Sequence, residues 1–328
     1  MRTLVTGSAG HLGEALMQSL AAAGVPAVGL DLKPSAWTSL VGSITDRGAV
    51  RQALEGVGRV IHCATLHKPH VATHAMEAFV EVNIRGTLIL LEEAVAAGVS
   101  AFVFSSSTSV FGDALTPGPG EPAVWITEEV RPVPKNIYGV TKAAAEDLCE
   151  LFARKSGLPA IVLRIARFFP EADDLPERRD AFADANLKAN EFLYRRADIA
   201  DIVSAHLIAA EKAPELGFDR FVISATTPFT PADLAGLAAD APAVLWRRVP
   251  EAQEIYRRLG WRMLPHLDRV YSNASARERL GWAPEVDFRA VLARAAVGEP
   301  VLGPLAERIG IKGYHDRTFR DGAYPVDL

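Results

Sequence analysis

The sequence predicts an α/β protein built on a parallel sheet, and two features carry this prediction. Apolar runs typical of strands alternate with stretches of helical periodicity over the first two-thirds of the chain, which is the pattern of βαβ units. The first run leads into a glycine-rich turn, TGSAGHLG at residues 6–13, and an amphipathic stretch follows it. This context is typical of a Rossmann-type doubly wound sheet. A chain of 328 residues can bury such a sheet and a smaller region beside it.

The strands and helices are predicted in alternating order. The strands are placed at residues 3–5, 27–30, 59–63, 101–105, 160–165 and 221–224, with a further short strand before Ser43. The helices are placed at residues 11–23, 46–55, 76–97 and 138–156. This alternation predicts helices on both faces of the sheet.

Less regular segments divide the chain into two regions. Residues 1–166 are expected to form the Rossmann domain, with its sheet completed by about residues 199–225. Residues 167–198 and 226–328 are expected to form a smaller, mostly C-terminal substrate-binding region that folds onto the carboxyl ends of the strands. Residues 112–136 carry five prolines, and we expect this long loop to form a wall of the substrate pocket. The charged residues 170–190 are expected to form a second flap.

The glycine turn predicts a site for the pyrophosphate of a dinucleotide. Among Gly7, Gly10 and Gly13, one allows the tight turn, another lets the backbone approach the phosphates, and the third lets helix and strand pack closely. Backbone N–H groups at the start of the helix face the phosphates. His11 and Leu12 lie within this turn, and we expect His11 to pack against the rim of the cofactor.

Asp31 predicts NAD rather than NADP as the cofactor. It ends the second strand, where a carboxylate accepts hydrogen bonds from the adenosine ribose and repels a 2′-phosphate. The alternative is an ordinary turn residue at a strand end. Further cofactor contacts are predicted after the third and fourth strands, at Ser43, Ile44, Cys63, Ala64 and Thr65.

Tyr138 and Lys142 form the predicted catalytic pair. They are one helical turn apart, so the phenol and the ammonium project from the same face. A neighbouring ammonium favours phenolate, so we expect a lowered pKa for Tyr138 and a role as general acid or base. Ser107 ends a serine run and is expected to orient the substrate oxygen, while Ser105 and Ser106 are expected to be structural. A chance pairing is the alternative, and the upstream glycine turn argues against it.

Other substrate contacts are predicted around this pair. His67, His70 and His74 follow the fourth strand, and one or two of these rings are expected to reach the cleft. No metal is predicted, because no acidic or thiol partner for these histidines is evident. For Arg195 and Arg196, anion binding and a solvated charge are both open. The predicted substrate contacts are His67, Ser107, Thr108, Tyr138, Arg167, Arg195 and Arg196.

Bulk properties exclude some classes of partner. The net charge of −5 disfavours nucleic acid and anionic membranes, and no apolar run reaches the length of a membrane-spanning helix. We therefore expect a small-molecule, sugar-type substrate, with no nucleic-acid and no membrane partner. Cys63 and Cys149 are the only cysteines and are expected to be buried free thiols of a cytoplasmic protein.

At this point the sequence resembles the extended short-chain dehydrogenase/reductases, the NAD-dependent epimerase/dehydratase group. The resemblance covers nearly the whole chain, in the segments TGSAGHLG, VIHCAT, VNIRGTLILLEEA, FVFSSSTSVFG, YGVTKAAAE, VLRIARFF and RLGWAP. It implies a triad of Ser107, Tyr138 and Lys142, in which Lys142 also contacts the nicotinamide ribose. It also implies that Asn83 lies beneath the active site as a cofactor-side residue. A homodimer formed through residues 76–97 and 138–156 is implied as well.

Two departures from the family pattern bear on the reaction and the substrate. Relatives that dehydrate their sugar carry an Asp-Glu pair after the catalytic Ser or Thr, whereas Thr108 and Ser109 stand here, so dehydration is disfavoured. Nucleotide-sugar relatives often carry Asn where this chain has Arg167, and an arginine there could bind a phosphate or a carboxylate.

Three functions remain open from the sequence. The leading one is NAD-dependent epimerisation of a sugar or nucleotide-sugar through a transient keto intermediate. The alternative is a net dehydrogenase of a sugar, sugar acid or other secondary alcohol, which would use the same catalytic residues. A non-catalytic dinucleotide sensor is the third, and the intact triad speaks against it.

Overall fold

A seven-stranded parallel sheet forms the centre of the protein, in a computed structural model that describes residues 1–315 and residue 319. The strands are β1 (Arg2–Thr6), β2 (Ala27–Asp31), β3 (Leu40–Val41), β4 (Val57–His62), β5 (Ala101–Ser107), β6 (Val124–Ile126), β7 (Ala160–Ile165), β8 (Phe218–Ile223) and β9 (Arg269–Tyr271). The helices are α1 (His11–Ala22), α2 (Arg47–Ala53), α3 (Met76–Phe79), α4 (Gly86–Ala96), α5 (Ile137–Ser156), α6 (Pro176–Ala181), α7 (Asp184–Phe192), α8 (Ile199–Leu216), α9 (Leu234–Arg248), α10 (Glu251–Leu259), α11 (Phe288–Ala296) and α12 (Pro304–Ile309). The strand order is β3-β2-β1-β4-β5-β7-β8, which confirms the predicted doubly wound sheet.

The carboxyl ends of the central strands lie level at one edge of the sheet. Thr6 of β1 lies beside His62 of β4, and Ser107 of β5 lies beside Ile165 of β7. The strand order changes direction between β1 and β4, and a doubly wound sheet opens a ligand crevice at such a point. The glycine turn after β1 and the serines at the end of β5 therefore meet at the same crevice.

Each face of the sheet has its own apolar core. Successive residues of a strand point to opposite faces. Val5 and Ile61 accordingly pack in one core with α1, α8 and α12, while Leu4 and Val60 pack in the other with α2, α4 and α5. Because both faces are buried, the central strands are continuous apolar runs in the sequence.

A third core holds the smaller region together. It is formed by α7, α9, α10 and α11, with Val270 of β9. Strand β6, which comes from the proline-rich loop, pairs in parallel with β9 and so joins this region. Two parts differ from the predicted division, because α12 and Trp282 pack in a core of the central sheet instead. Residues 316–318 and 320–328 of the predicted region lie outside the described residues.

Two predicted elements have a different local structure. The helix predicted at 76–97 contains a π-helical segment, Val80–Arg85, between α3 and α4. The flap predicted at 170–190 contains α6 and most of α7. Helix α7 buries polar and charged residues, so no apolar stripe marked it in the sequence. Within the described part of the chain, no helix is long and apolar enough to cross a membrane.

A buried ion pair joins α5 to the sheet. The carboxylate of Glu146 on α5 accepts hydrogen bonds from the guanidinium of Arg164 on β7 and from the hydroxyl of Ser106 on β5. Arg164 also donates to the backbone oxygen of Glu128 in the proline-rich loop. The side chains of Glu146 and Arg164 are only 2% and 4% exposed, so neither charge can turn to water if its partner is removed.

We predict that Glu146→Ala lowers the free energy of unfolding by about 3–5 kcal/mol, because it leaves the Arg164 charge buried without its carboxylate. Denaturant unfolding of the purified variant measures this loss. Asp147→Ala is the matched control, since Asp147 is the next residue of the same helix and its side chain is 82% exposed. Its effect should stay within about 0.5 kcal/mol. Equal losses in the two variants would show that the buried pair is not what holds α5 in place.

Candidate active site

A cavity of about 800 Å³ lies at the carboxyl edge of the sheet. The glycine turn, Asp31 and the residues after β4 line it. The end of β5, Tyr138 of α5 and the residues after β7 line it as well. The proline-rich loop contributes Gly112, Leu115 and Thr116 to the lining, as predicted for a pocket wall.

The glycine turn is shaped by backbone that passes too close for a side chain. Gly7 has φ +74°, and a Cβ there would lie 2.8 Å from the backbone nitrogen of Ala64. A Cβ on Gly13 would lie 1.9 Å from the carbonyl oxygen of Gly7. The turn and the start of α1 therefore pack directly on each other, with the start of α1 at the cavity. We call the glycine turn and the start of α1 the glycine cradle. Its shape fits the pyrophosphate of a dinucleotide.

Asp31 joins the end of β2 to the glycine turn. One carboxylate oxygen accepts a hydrogen bond from the Ala9 N–H at 2.9 Å, and the other accepts from the Lys33 N–H at 2.8 Å. The side chain lines the cavity, as the predicted ribose contact requires. The carboxylate is thus already oriented by backbone donors on both of its oxygens.

Neutral buried side chains support the floor of the cavity. Burial lowers the pKa of His206 to about 4, and its Nδ1 pairs with the Ile202 carbonyl. Its Nε2 lies 2.8 Å from the Ser105 hydroxyl, which in turn lies 3.1 Å from the Cys63 sulfur. Burial raises the pKa of the Cys63 thiol to about 12. Ser105 thus lines the cavity while its hydroxyl lies between two internal partners, and Cys63 is a partly exposed free thiol in the cavity wall rather than a fully buried one.

Tyr138 and Ser107 both line the cavity, as the predicted triad requires. Asn136 caps α5 by accepting the Gly139 N–H, which places Tyr138 in the first turn of the helix. Burial raises the pKa of Tyr138 to about 12, and the Ser107 hydroxyl opposes this rise only in part. The expectation of a lowered pKa for Tyr138 is therefore wrong, because burial removes the water that would stabilise the phenolate.

Lys142 lies behind the cavity wall. Its side chain is buried, and Nζ lies 4.1 Å from the centre of the Phe104 ring. Burial lowers the pKa of Lys142 to about 8, with Cys63 and Glu146 opposing the shift. Lys142 was predicted to contact the cofactor, but it is not among the described residues that line the cavity. The attraction of its ammonium to the face of Phe104 accounts for this position.

His67 lies at the centre of an aromatic cluster beside Tyr138. Its ring centre is 5.0 Å from that of Tyr138 and 5.0 Å from that of Phe169, and Tyr314 stacks on it at 5.7 Å. Burial lowers the pKa of His67 to about 3, so its ring is neutral at physiological pH. His67 therefore lines the cavity, as predicted, and offers an uncharged ring to whatever binds there.

The three arginines predicted to contact the substrate are all paired with carboxylates. Arg167 lines the cavity, but its guanidinium lies 3.5 Å from Asp174 and 3.7 Å from Glu191. Arg195 also lines it and pairs with Glu191 and, at 3.1 Å, with Asp173.

Arg196 was predicted to contact the substrate, and the structure contradicts this. It is buried away from the cavity, where it donates to Glu191 at 2.7 Å and to the Phe169 carbonyl at 2.9 Å. Burial opposes ionisation of Glu191, yet Arg195, Arg196 and Arg167 together lower its pKa well below the usual range. The carboxylate therefore stays charged and holds the arginines.

Most of the predicted site residues are brought together in this cavity. Asn83 is an exception, because it is buried below the lining and exchanges hydrogen bonds with the backbone of Leu66. Phe169 and Tyr314 line the cavity but were not predicted, and Tyr314 lies too far along the chain for any spacing to reveal it. Those predicted contacts that do line the cavity are Gly7, Gly10, His11, Leu12, Gly13, Asp31, Ser43, Ile44, Cys63, Ala64, Thr65, His67, Ser107, Thr108, Tyr138, Arg167 and Arg195.

The model of the NAD dependent epimerase/dehydratase family matches residues 3–223, and the chain belongs to that family. This confirms the resemblance noted in the sequence. The protein accordingly belongs to an NAD-dependent enzyme family, and the cradle around Gly7 and Gly13 is the part of it that fits NAD.

Similar proteins differ in what they act on. An uncharacterised protein of Sinorhizobium fredii is 37% identical over 166 residues, which are 49% of this chain and only 39% of that relative. A 4-hydroxy-2-methyl-3-oxo-4-farnesyl-3,4-dihydroquinoline-1-oxide ketoreductase of Stigmatella aurantiaca is 28% identical, covering 87% of this chain and 93% of the relative. A UDP-glucose 4-epimerase of Rhizobium leguminosarum bv. trifolii is 28% identical, covering 89% of this chain and 95% of that relative.

A similar solved structure has the same fold. It is a short-chain dehydrogenase/reductase superfamily protein of Agrobacterium tumefaciens with bound NAD. The sequence identity is 24%, the TM-score is 0.64, and the match covers 94% of this chain and 97% of that one.

We predict that Asp31→Asn weakens NAD binding by about tenfold and narrows the preference for NAD over NADP. The variant keeps an acceptor for the Ala9 N–H but loses the charge that binds ribose hydroxyls and repels a 2′-phosphate. Fluorescence titration with both dinucleotides measures the two affinities. Tighter binding of NADP than of NAD by the unaltered protein would contradict this assignment.

Proposed function

We propose that the protein transfers hydride between a secondary carbinol carbon of a sugar-type substrate and NAD, with Tyr138 as the acid/base. The observation that carries the proposal is a single cavity lined by Tyr138 and Ser107 together with the glycine cradle and Asp31. A sensor would need the cradle but not the phenol and the hydroxyl.

In the oxidation half-reaction the carbinol loses a hydride from carbon and a proton from oxygen. When bound, NAD supplies the hydride acceptor and, in its oxidised form, a positive ring. Tyr138 Oη takes the proton from the substrate hydroxyl, and the Ser107 hydroxyl orients the substrate oxygen. Reduction reverses both transfers, with the Tyr138 phenol as the proton donor.

Burial sets the protonation states of Tyr138 and Lys142. With a pKa of about 12, Tyr138 is a neutral phenol at physiological pH and is ready to act as an acid in the reduction direction. The ammonium of Lys142, one turn along the helix, retains its proton below a pH of about 8 and favours the phenolate that oxidation requires.

Epimerisation is the form of this reaction that we favour. It requires oxidation of a ring hydroxyl, turning of the ketone, and return of the hydride to its other face, all with these residues. Elimination would need an additional acid and base directly after Ser107, but Thr108 and Ser109 stand there instead. The UDP-glucose 4-epimerases among its relatives support this proposal, while the similar ketoreductase supports a net dehydrogenase as the second candidate.

We also propose a homodimer formed through the segment 76–96 and α5, which pack side by side. Several large apolar side chains on these helices are exposed to solvent, namely Met76, Val80, Val95, Val140 and Leu151. Exposed apolar patches of this kind mark protein interfaces, and two copies of the pair would bury them in a four-helix bundle.

We predict that Tyr138→Phe lowers turnover by about 10²–10⁴-fold with little change in NAD affinity, because only the proton-transfer group is lost.

In the unaltered enzyme, oxidation should accelerate as pH rises towards about 8, since the phenolate fraction grows while Lys142 keeps its charge. Reduction should depend little on pH in that range. NADH absorbance and chromatographic detection of an epimer, with a panel of sugars and sugar derivatives, measure the two outcomes.

Tyr256→Phe serves as the control for this experiment. Tyr256 is also buried, but it hydrogen-bonds Asn190 in the core of the smaller region and does not line the cavity. Loss of the Tyr256 hydroxyl should lower the free energy of unfolding but change turnover little. Near-normal turnover by Tyr138→Phe would remove the proposed mechanism.

We predict that Val140→Glu converts a dimer into a monomer at micromolar concentration, because it places a charge in the proposed apolar interface. Sedimentation velocity measures the change. Val297→Glu makes the same substitution at an exposed valine after α11, outside the proposed interface, and should leave the dimer intact. A monomeric unaltered protein would refute the dimer.

A further inference from the structure

A wall of rings borders the cavity next to the catalytic tyrosine. Tyr314 stacks on His67 with an angle of 8° between the rings, and the edge of Phe169 meets His67 at 87°. Because the His67 ring lies 5.0 Å from that of Tyr138, the wall begins at the reacting end of the cavity. We call His67, Phe169 and Tyr314 the aromatic wall.

The C-terminal segment that carries Tyr314 is held on both sides of the cavity. The Lys312 N–H donates to His11 Nε2 at 3.2 Å, and the Lys312 ammonium pairs with Glu14, both on α1. On the other side, the Tyr314 carbonyl pairs with His70 Nε2 at 3.0 Å. Tyr314 is therefore a fixed part of the wall.

Uncharged polar side chains also line the cavity. They include the hydroxyl groups of Ser107, Ser109 and Thr116 and the amide of Asn136. Hydroxyl and amide groups both donate and accept hydrogen bonds, so these side chains can satisfy alcohol groups of either orientation. The cavity thus offers both an aromatic wall and polar groups suited to hydroxyl groups.

The cations around the substrate end already have partners. Six lysines and arginines in the lining form ion pairs with carboxylates. The pairs are Lys68 with Asp174, Lys135 with Asp113, Arg167 with Asp174 and Glu191, Arg195 with Asp173 and Glu191, Arg269 with Asp268, and Lys312 with Glu14. A diphosphate or carboxylate that bound an arginine here would lie against these carboxylates, and like charges repel.

We infer that the substrate is an uncharged polyhydroxylated ring, bound with its apolar C–H face on the aromatic wall and its hydroxyl groups towards Ser109, Thr116 and Asn136. This inference rests on the proposed function and narrows it. A free sugar or neutral glycoside has these two faces. A nucleotide-sugar or a sugar acid adds negative charge where the site has no unpaired cation to receive it, as far as residues 1–315 and 319 define it.

A matched substrate series tests the inference. The series is one sugar offered as the neutral ring, the sugar acid, the 1-phosphate and the UDP derivative, with kcat/KM measured for each. We expect the neutral ring to be preferred by about tenfold or more. A higher kcat/KM for a charged member, lost in Tyr138→Phe, would overturn the inference and leave the proposed function intact. If no member reacts in a Tyr138-dependent way, the proposed function fails and the inference fails with it.

Substitutions at Tyr314 and at Asp174 test the aromatic wall and the paired cations separately. Tyr314→Ala should raise KM for the neutral ring by about tenfold with NAD affinity unchanged, and Tyr314→Phe should restore it, since only the ring face is needed. Asp174→Asn removes the shared partner of Lys68 and Arg167, so it should raise kcat/KM for the sugar acid by about tenfold relative to the neutral ring. Unchanged KM in Tyr314→Ala, or unchanged selectivity in Asp174→Asn, would overturn the inference.

Discussion

The ion pair between Glu146 and Arg164 holds together the elements that carry the catalytic groups. Glu146 receives hydrogen bonds from β7 and β5, and Arg220 of β8 lies 3.6 Å from the same carboxylate. Tyr138 is two turns earlier on the same helix, and Ser107 directly follows the serine that Glu146 binds. The docking of α5 on the sheet therefore sets where Tyr138 lies relative to Ser107.

Burial also decides the charge of the groups around the reacting end. It lowers the pKa of His62 and of His67 to about 3, and it lowers that of Lys142 to about 8. The same loss of water raises the pKa of Tyr138 to about 12. The imidazoles at the reacting end are therefore neutral, and the Lys142 ammonium lies behind the cavity wall. A bound cofactor with a positive ring would add a second charge that favours the phenolate.

In the smaller region, charged residues pair with one another inside the protein. Residues 167–198 are rich in arginine and in carboxylates, and the structure pairs them with one another around Glu191 rather than directing them at a ligand. An arginine at position 167 predicted an anionic substrate when it was considered alone. Its pairing with Asp174 and Glu191 removes that argument and leaves the aromatic wall as the distinctive feature of the substrate end.

The sequence by itself determined the sheet, the glycine turn and the pair of Tyr138 and Lys142. These depend on local rules: alternation of strand and helix patterns, glycine where backbones touch, and one helical turn between two side chains. The tertiary structure decided whatever depends on residues far apart in the chain. No local pattern could show that Arg196 is buried against Glu191, that Lys142 turns towards Phe104, or that Tyr314 reaches His67 across nearly 250 residues. Desolvation likewise depends on the whole packed neighbourhood, and for this reason the direction of the Tyr138 pKa shift was not visible in its spacing from Lys142.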